Sequence, residues 1–309
     1  MTPRASSSLL PAAALLAALM LASPSNAQNV TTYATGVNGA KDLAWNASGD
    51  MFVSGQSAGV GLVYRVGPGG SPVTTFATGF TDPWGVAFGA SGDLFVADRG
   101  LISVANSGRI WRVAPDGSKT VFASGLGDPM FIAFDASGDL FVGEWGPRNL
   151  KRVSPAGVVT TYVAGVTPVG ENLGGLVIEP TGEIYVGSET YIRVVGPGGS
   201  PVTVFASGLV STVGLVRSSD GGFYSGQYSH HDVYQVTPGG VASDWAGGGI
   251  GCVDGPRLTA EFITPAGVRI RNDVLYIADA GCSRVRTIDL PGVVPTARGT
   301  WGRVKSLYR

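Results

Sequence analysis

Residues 82–100 read DPWGVAFGASGDLFVADRG. The stretch holds an apolar segment, Val86-Ala87-Phe88, a Ser91-Gly92-Asp93 turn, and a second apolar run, LFVAD from Leu94. Short β-rich runs separated by Ser, Gly and Asp read as a hairpin. In LFVAD, Leu94 and Val96 face one way, Phe95 and Ala97 the other, and both faces are apolar. Such a hairpin cannot bury itself and needs a neighbour on each side.

The neighbours are in the sequence. Apolar segments like the first recur at Leu43-Ala44-Trp45, Ile132-Ala133-Phe134, Leu176-Val177-Ile178, Leu215-Val216 and Val268-Arg269-Ile270. Runs like LFVAD recur as MFVSG from Met51, LFVGE from Leu140, IYVGS from Ile184, FYSGQ from Phe223 and LYIAD from Leu275. A third run follows each: VYRV, IWRV, LKRV, IRVV, VYQV and VRTI, from Val63, Ile110, Leu150, Ile192, Val233 and Val285. A Gly that opens each unit recurs at positions 36, 79, 125, 165 and 208, at spacings of 43, 46, 40 and 43 residues. Four short strands per unit of this length define propeller blades, and six sets of second and third strands define an all-β, six-bladed β-propeller. The leading segment Val30–Tyr33 matches a fourth strand with no blade before it, and the last unit lacks a fourth strand. The N-terminal strand is expected to pair with the last blade and close the ring, which removes an exposed sheet edge.

Composition agrees. The chain has 309 residues, 48 of them Gly, and only 14% are charged. Formal net charge is −1 and basic residues form no stripe, which excludes a nucleic-acid footprint. Arg4, the apolar run Leu9–Ala22 and the small residues Ser25-Asn26-Ala27 read as an export signal cleaved after Ala27, too short to span a bilayer. The expected layout is a signal peptide over 1–27, a propeller over 28–290 and a tail over 291–309, lying across one face. The chain is expected to be exported, secreted or periplasmic, monomeric and without a membrane span. The two cysteines, Cys252 and Cys282, fall on one rim of the last blade, and in an oxidising compartment they are expected to pair.

Loops on one rim should carry function, because a rigid scaffold positions them. One set precedes the first strands: Asp42, Asp82-Pro83-Trp84, Asp128-Pro129-Met130, Glu171-Asn172 and Thr212. The other follows the second strands: Asp98-Arg99, Glu144 to Arg148, Glu189 with Tyr191, Tyr228 to His231, and Asp279. Asp42, Asp82, Asp128, Glu171 and Asn172 would face a common channel mouth, where converging oxygens could hold Ca²⁺ or Mg²⁺. The same residue types also cap tight turns through their own backbone. His230 and His231, read as strand neighbours, point to opposite faces, so one at most serves a site. His231 is the candidate general base and Glu144 the acid alternative. Asp82, Trp84, Arg99, Trp145, Arg148, Tyr228 and His230 are the candidate binding residues. Trp84 serves equally well as a blade-packing residue.

The last unit, CVDGPRLTAEFITPAGVRIRNDVLYIADAGCSRVRTIDL from Cys252, resembles an NHL repeat through its DG, A-x-F, P-x-G-V, LYIAD and RVRTI elements. Residues 82–100 with GRIWRVAPDGS resemble a looser version, and the likeness to NHL-repeat and TolB-like propellers spans about residues 30–290. More distant resemblances imply chemistry. Gluconolactonase-like propellers hold a divalent metal at the starts of inner strands, which here are Lys41, Trp84, Met130, Gly174, Val213 and Ala266, none of them a carboxylate or amide. Virginiamycin B lyase-like proteins resemble LFVGEWGPRNLKRV, chiefly through Glu144-Trp145-Gly146 and Arg152-Val153, but their histidines have no match.

With no catalytic set carried over, the chain is expected to act as a binding or interaction module. Its rim would take an unknown protein, peptide or glycan. The alternative is a metal-dependent lyase or lactonase/hydrolase.

Overall fold

The computed structural model describes residues 28–101 and 104–290. The expected export signal and C-terminal tail lie outside the described residues.

The hairpin of residues 82–100 forms as read. Pro83–Phe88 pairs antiparallel with Leu94–Asp98, with Val86 opposite Val96 and Phe88 opposite Leu94. Gly92 turns the chain at φ 83° and Gly138 turns the next hairpin at φ 85°, a conformation that a Cβ disfavours. Strands Gly108–Val113 and Lys119–Leu126 complete blade 2. Blade 1 is Asp42–Trp45, Met51–Ser57, Val60–Val66 and Val73–Phe80. Blade 3 is Pro129–Phe134, Leu140–Glu144, Leu150–Val153 and Val159–Val163. Blade 4 is Leu173–Ile178, Ile184–Ser188, Tyr191–Val195 and Val202–Ser207. Blade 5 is Thr212–Arg217, Phe223–Gln227, Asp232–Val236 and Ala242–Ala246.

Blade 6 has three strands of its own, Pro265–Arg271, Val274–Asp279 and Arg284–Asp289, and borrows Asn29–Thr35 as its fourth. Val30 lies opposite Ile288 and Thr31 opposite Thr287 in that antiparallel pair. The protein is therefore an all-β, six-bladed β-propeller closed between its N-terminal and C-terminal strands.

The aromatic residue near the start of each second strand shows why the units need one another. Phe52 packs edge-on against Phe88 of the next blade at 5.2 Å, and Phe95 against Phe134 at 5.0 Å. Tyr185 meets Phe223 at 4.8 Å, and Tyr276 closes the ring against Trp45 at 4.9 Å. Each contact buries a blade face against its neighbour, and all but the tilted Tyr185–Phe223 pair are edge-to-face. Around the axis the inner strands approach backbone to backbone. A side chain at Gly214 would collide with the Ala266 carbonyl, and one at Gly85 with the Met130 carbonyl.

Cys252 and Cys282 are disulfide-bonded. The bridge ties the segment between blades 5 and 6, which contains the short parallel pair Gly249–Ile250 and Glu261–Phe262, to the second-to-third strand turn of blade 6. No helix among the described residues is long and apolar enough to cross a membrane.

Candidate functional site

Residues at the entries of the inner strands form a ring at one mouth of the central channel. Lys41, Trp84, Met130, Gly174, Val213 and Ala266 occupy equivalent places, each next to a position that packs on the following strand. Above them opens a cavity of about 620 Å³, whose lining includes Trp84, Arg99, Met130, Trp145, Glu189, Val213 and Tyr228.

Trp84 is the floor of this cavity and part of the core at once. Its ring is 6.3 Å from Phe131 and 6.1 Å from Tyr228, and the residue is 7% exposed. Lys41 Nζ lies 4.9 Å and Arg99 Cζ 5.7 Å from the ring, within cation–π range. The indole Nε1 donates to Asp82 Oδ2 at 3.1 Å.

The rim charges form a chain. Lys41 pairs with Asp82, and Arg99 lies 3.5 Å from Asp82 through Nη1. Arg99 also forks onto Asp128 through Nε and Nη2. Burial lowers the Lys41 pKa although Asp82 opposes it. Burial also works against the Arg99 charge, but the Asp128 bond and the charges of Asp128 and Asp82 outweigh it and raise its pKa. A fixed guanidinium thus faces an aromatic-walled cavity.

The remaining acidic candidates are each held by partners of their own. Asp42 is fully buried in the channel, where Oδ2 accepts from Val86 N at 3.2 Å and Arg269 Nη2 at 2.7 Å. Burial pushes its pKa up, against Arg269. Glu171 accepts from Ser188 Oγ and Thr190 Oγ1, each at 2.6 Å, and Asn172 donates to Glu189 at 2.7 Å. Glu144 is buried and clamps a loop, accepting from Gly127 N at 2.8 Å and Asn149 Nδ2 at 3.0 Å.

The histidines occupy the turn before Asp232–Val236, so strand alternation does not govern them. They still diverge, because His231 sits at φ 65°. His230 Nδ1 is 2.8 Å from Asp232 Oδ2, while His231 Nδ1 accepts the Thr264 N–H at 3.0 Å. That bond leaves the His231 proton on Nε2. Of the candidate binding residues, Trp84, Arg99, Trp145 and Tyr228 meet around the cavity and Asp82 holds Arg99 from behind. Arg148, in the turn after Glu144 at φ 61°, and His230 do not line it.

The divalent-metal site implied by the gluconolactonase resemblance does not fit these residues. The ring offers an ammonium, apolar side chains and a glycine, and the nearby Asp82 and Asp128 are neutralised by Lys41 and Arg99. Among the described residues, the three-member group of metal-ligating side chains that does converge is His230, Asp232 and Asp244, on blade 5. Asp232 and Asp244 escaped the sequence reading. The spacing His230-x-Asp232 was visible, but Asp244 joins them only through the pairing of the third and outer strands.

No family model matches the chain, and no curated protein matches it. Solved structures do. An auxiliary nutrient binding protein from Bacteroides thetaiotaomicron shares 14% identity at a TM-score of 0.71, over 84% of this chain and 76% of that one. A gluconolactonase from Xanthomonas campestris shares 15% at 0.65, over 85% and 90%. Virginiamycin B lyase from Staphylococcus aureus shares 12% at 0.58, over 85% and 99%. At these identities the likeness establishes the fold. Fold and site together define a six-bladed propeller with an aromatic cavity at one channel mouth.

Proposed function

We propose that the chain is an exported NHL-like propeller that works by binding, with a protein, peptide or glycan ligand seated in the mouth cavity. Trp84, Trp145 and Tyr228 form the apolar platform and Arg99 supplies a fixed cation. The observation that carries this reading is the pairing of the rim carboxylates. Asp82, Asp128 and Glu144 are all engaged in holding loops, while the aromatic side chains and the ion-paired Arg99 line the cavity. Amphipathic aromatics with a preorganised Arg are the residues that dominate recognition sites. A cavity of about 620 Å³ suits one small ligand or the end of a larger one. The nutrient-binding neighbour and the disulfide support binding and export respectively.

The lyase or lactonase alternative draws on two of the structural neighbours and needs a divalent ion at the rim. The test is a glycan and peptide array probed with the chain from Gln28, with Trp145→Ala and Tyr228→Ala as controls. Both residues are part-exposed, so the variants should fold. Binding of one ligand class that drops at least tenfold in both variants is expected. Turnover of lactones by a chain that binds nothing on the array would overturn the reading.

A further inference from the structure

Blade 5 carries a second cluster, outside the mouth cavity. Asp232 opens its third strand, and Tyr234 follows two residues on, so the two side chains share a face. Tyr234 lies directly opposite Asp244 of the outer strand. The ladder slips by one residue here, since Val233 pairs with Ala246 and Tyr234 with Asp244, and such bulges re-aim side chains. His230 comes in from the preceding turn, with its ring edge-on to Tyr234 at 6.3 Å. One ligating atom each from His230, Asp232 and Asp244 lies within 4.8 Å of the others.

Asp232 supplies an independent observation. The residue is only 9% exposed. Its Oδ2 meets His230, and its Oδ1 is enclosed with no hydrogen-bond partner. A buried carboxylate oxygen left without a partner is costly, and a bound cation would satisfy it. We propose that His230, Asp232 and Asp244 form a binding site for a first-row divalent ion of the Zn²⁺ or Mn²⁺ class.

The donor set selects that class. Imidazole with carboxylates suits borderline ions, whereas Ca²⁺ takes six or more oxygens. Three protein ligands leave coordination positions for water or a ligand atom. Tyr234, opposite Asp244 in the ladder and edge-on to His230, flanks the cluster from outside the coordination shell. The ion would tie the turn bearing Tyr228 and Ser229, both in the cavity lining, to the outer strand of blade 5.

The test uses the chain from Gln28 with no affinity tag, washed with chelator and titrated calorimetrically with Zn²⁺, Mn²⁺ and Ca²⁺ in turn. One Zn²⁺ or Mn²⁺ per chain is expected. His230→Gln and Asp244→Asn should each weaken it at least tenfold while keeping the wild-type secondary structure in chelator, since both residues are exposed. Absence of stoichiometric Zn²⁺ and Mn²⁺ binding, or binding that both variants leave intact, overturns the site. Preference for Ca²⁺ overturns the assigned class. The site lies outside the cavity, so its failure leaves the binding function untouched, and the converse holds.

Discussion

Arg99 Nη2 donates to Asp128 Oδ2 at 2.9 Å, joining the second-to-third strand loop of blade 2 to the entry of blade 3. The side chains are 17% and 27% exposed, so water screens the pair only in part. Asp128 holds a left-handed turn at φ 66°, and the fork fixes its carboxylate. Arg99→Ala would leave Asp82 and Asp128 on one rim with Lys41 as their near cation. The expected loss is about 1–3 kcal/mol in urea unfolding, the typical cost of stranding a charged partner. Arg99→Lys should recover little of it, because an ammonium cannot fork onto a carboxylate. Ligand binding at the cavity should weaken in both.

The ring was legible because its cause is local. Phe52, Phe95, Phe141, Tyr185, Tyr224 and Tyr276 recur at one register position, and a blade apolar on both faces has to be flanked. The closure by Val30–Tyr33 was legible for the same reason, as a strand without a blade. The aromatic half of the cavity, Trp84, Trp145 and Tyr228, could be placed on the right rim from loop order alone. The roles of the acids could not. Asp82 and Asp128 look like a ligand set in sequence, and only the geometry shows Lys41 and Arg99 between them. Asp244 sits in an outer strand and meets His230 through a one-residue slip in the ladder that no local pattern announces.

Asp279 predicts a pH dependence. It is fully enclosed, with Oδ1 accepting from Ile263 N at 2.9 Å and Oδ2 3.1 Å from Arg286 Nη1. Burial nevertheless raises its pKa from 3.8 to about 6, against those partners. A group with a raised folded pKa binds its proton more tightly in the folded state. Its stabilising contribution is complete below about pH 4 and is lost as pH climbs through about 6. The unfolding free energy of wild type relative to that of Asp279→Asn should therefore fall steadily from pH 4 to pH 6, read from urea midpoints at each pH. A difference that stays flat across that window would refute it. Asp279→Ala is a harsher change. It removes one of the carboxylates on a fully buried Arg286 and should cost about 3–5 kcal/mol.

The disulfide predicts a redox dependence. Cys252 and Cys282 are 30 residues apart, and the bond closes a loop containing the whole inner strand of blade 6. In the chain-entropy model, a loop of this length contributes roughly 3–4 kcal/mol by restricting the unfolded chain. Cys252→Ser with Cys282→Ser should fold to the same secondary structure and unfold at a lower denaturant midpoint. A reducing agent should lower the wild-type midpoint to the same value and leave the double variant unmoved. Equal midpoints with and without reductant would show that the bridge adds nothing.

The borrowed strand predicts how the ring fails. Val30 is fully buried in the core of blades 5 and 6, alongside Trp245, Phe262 and Ile288. Thr31 Oγ1 bonds Thr287 Oγ1 at 2.9 Å and Thr32 N donates to Asp254 Oδ2 at 2.9 Å, so the strand is held along its length. Val30→Ala removes apolar volume from a site with no room to collapse, and about 2–3 kcal/mol is the expected cost. Val30→Asp buries an unpaired carboxylate against those same side chains and should detach the strand altogether. Its loss exposes the ladder edge of Arg284–Asp289, an open edge that other chains can pair with. Val30→Ala should therefore unfold at a lower temperature as a cooperative unit. Val30→Asp should elute as aggregates or oligomers in size-exclusion chromatography, and hydrogen exchange should rise first in Arg284–Asp289. Monomeric elution with unchanged exchange in that strand would mean that the clasp does not close the ring.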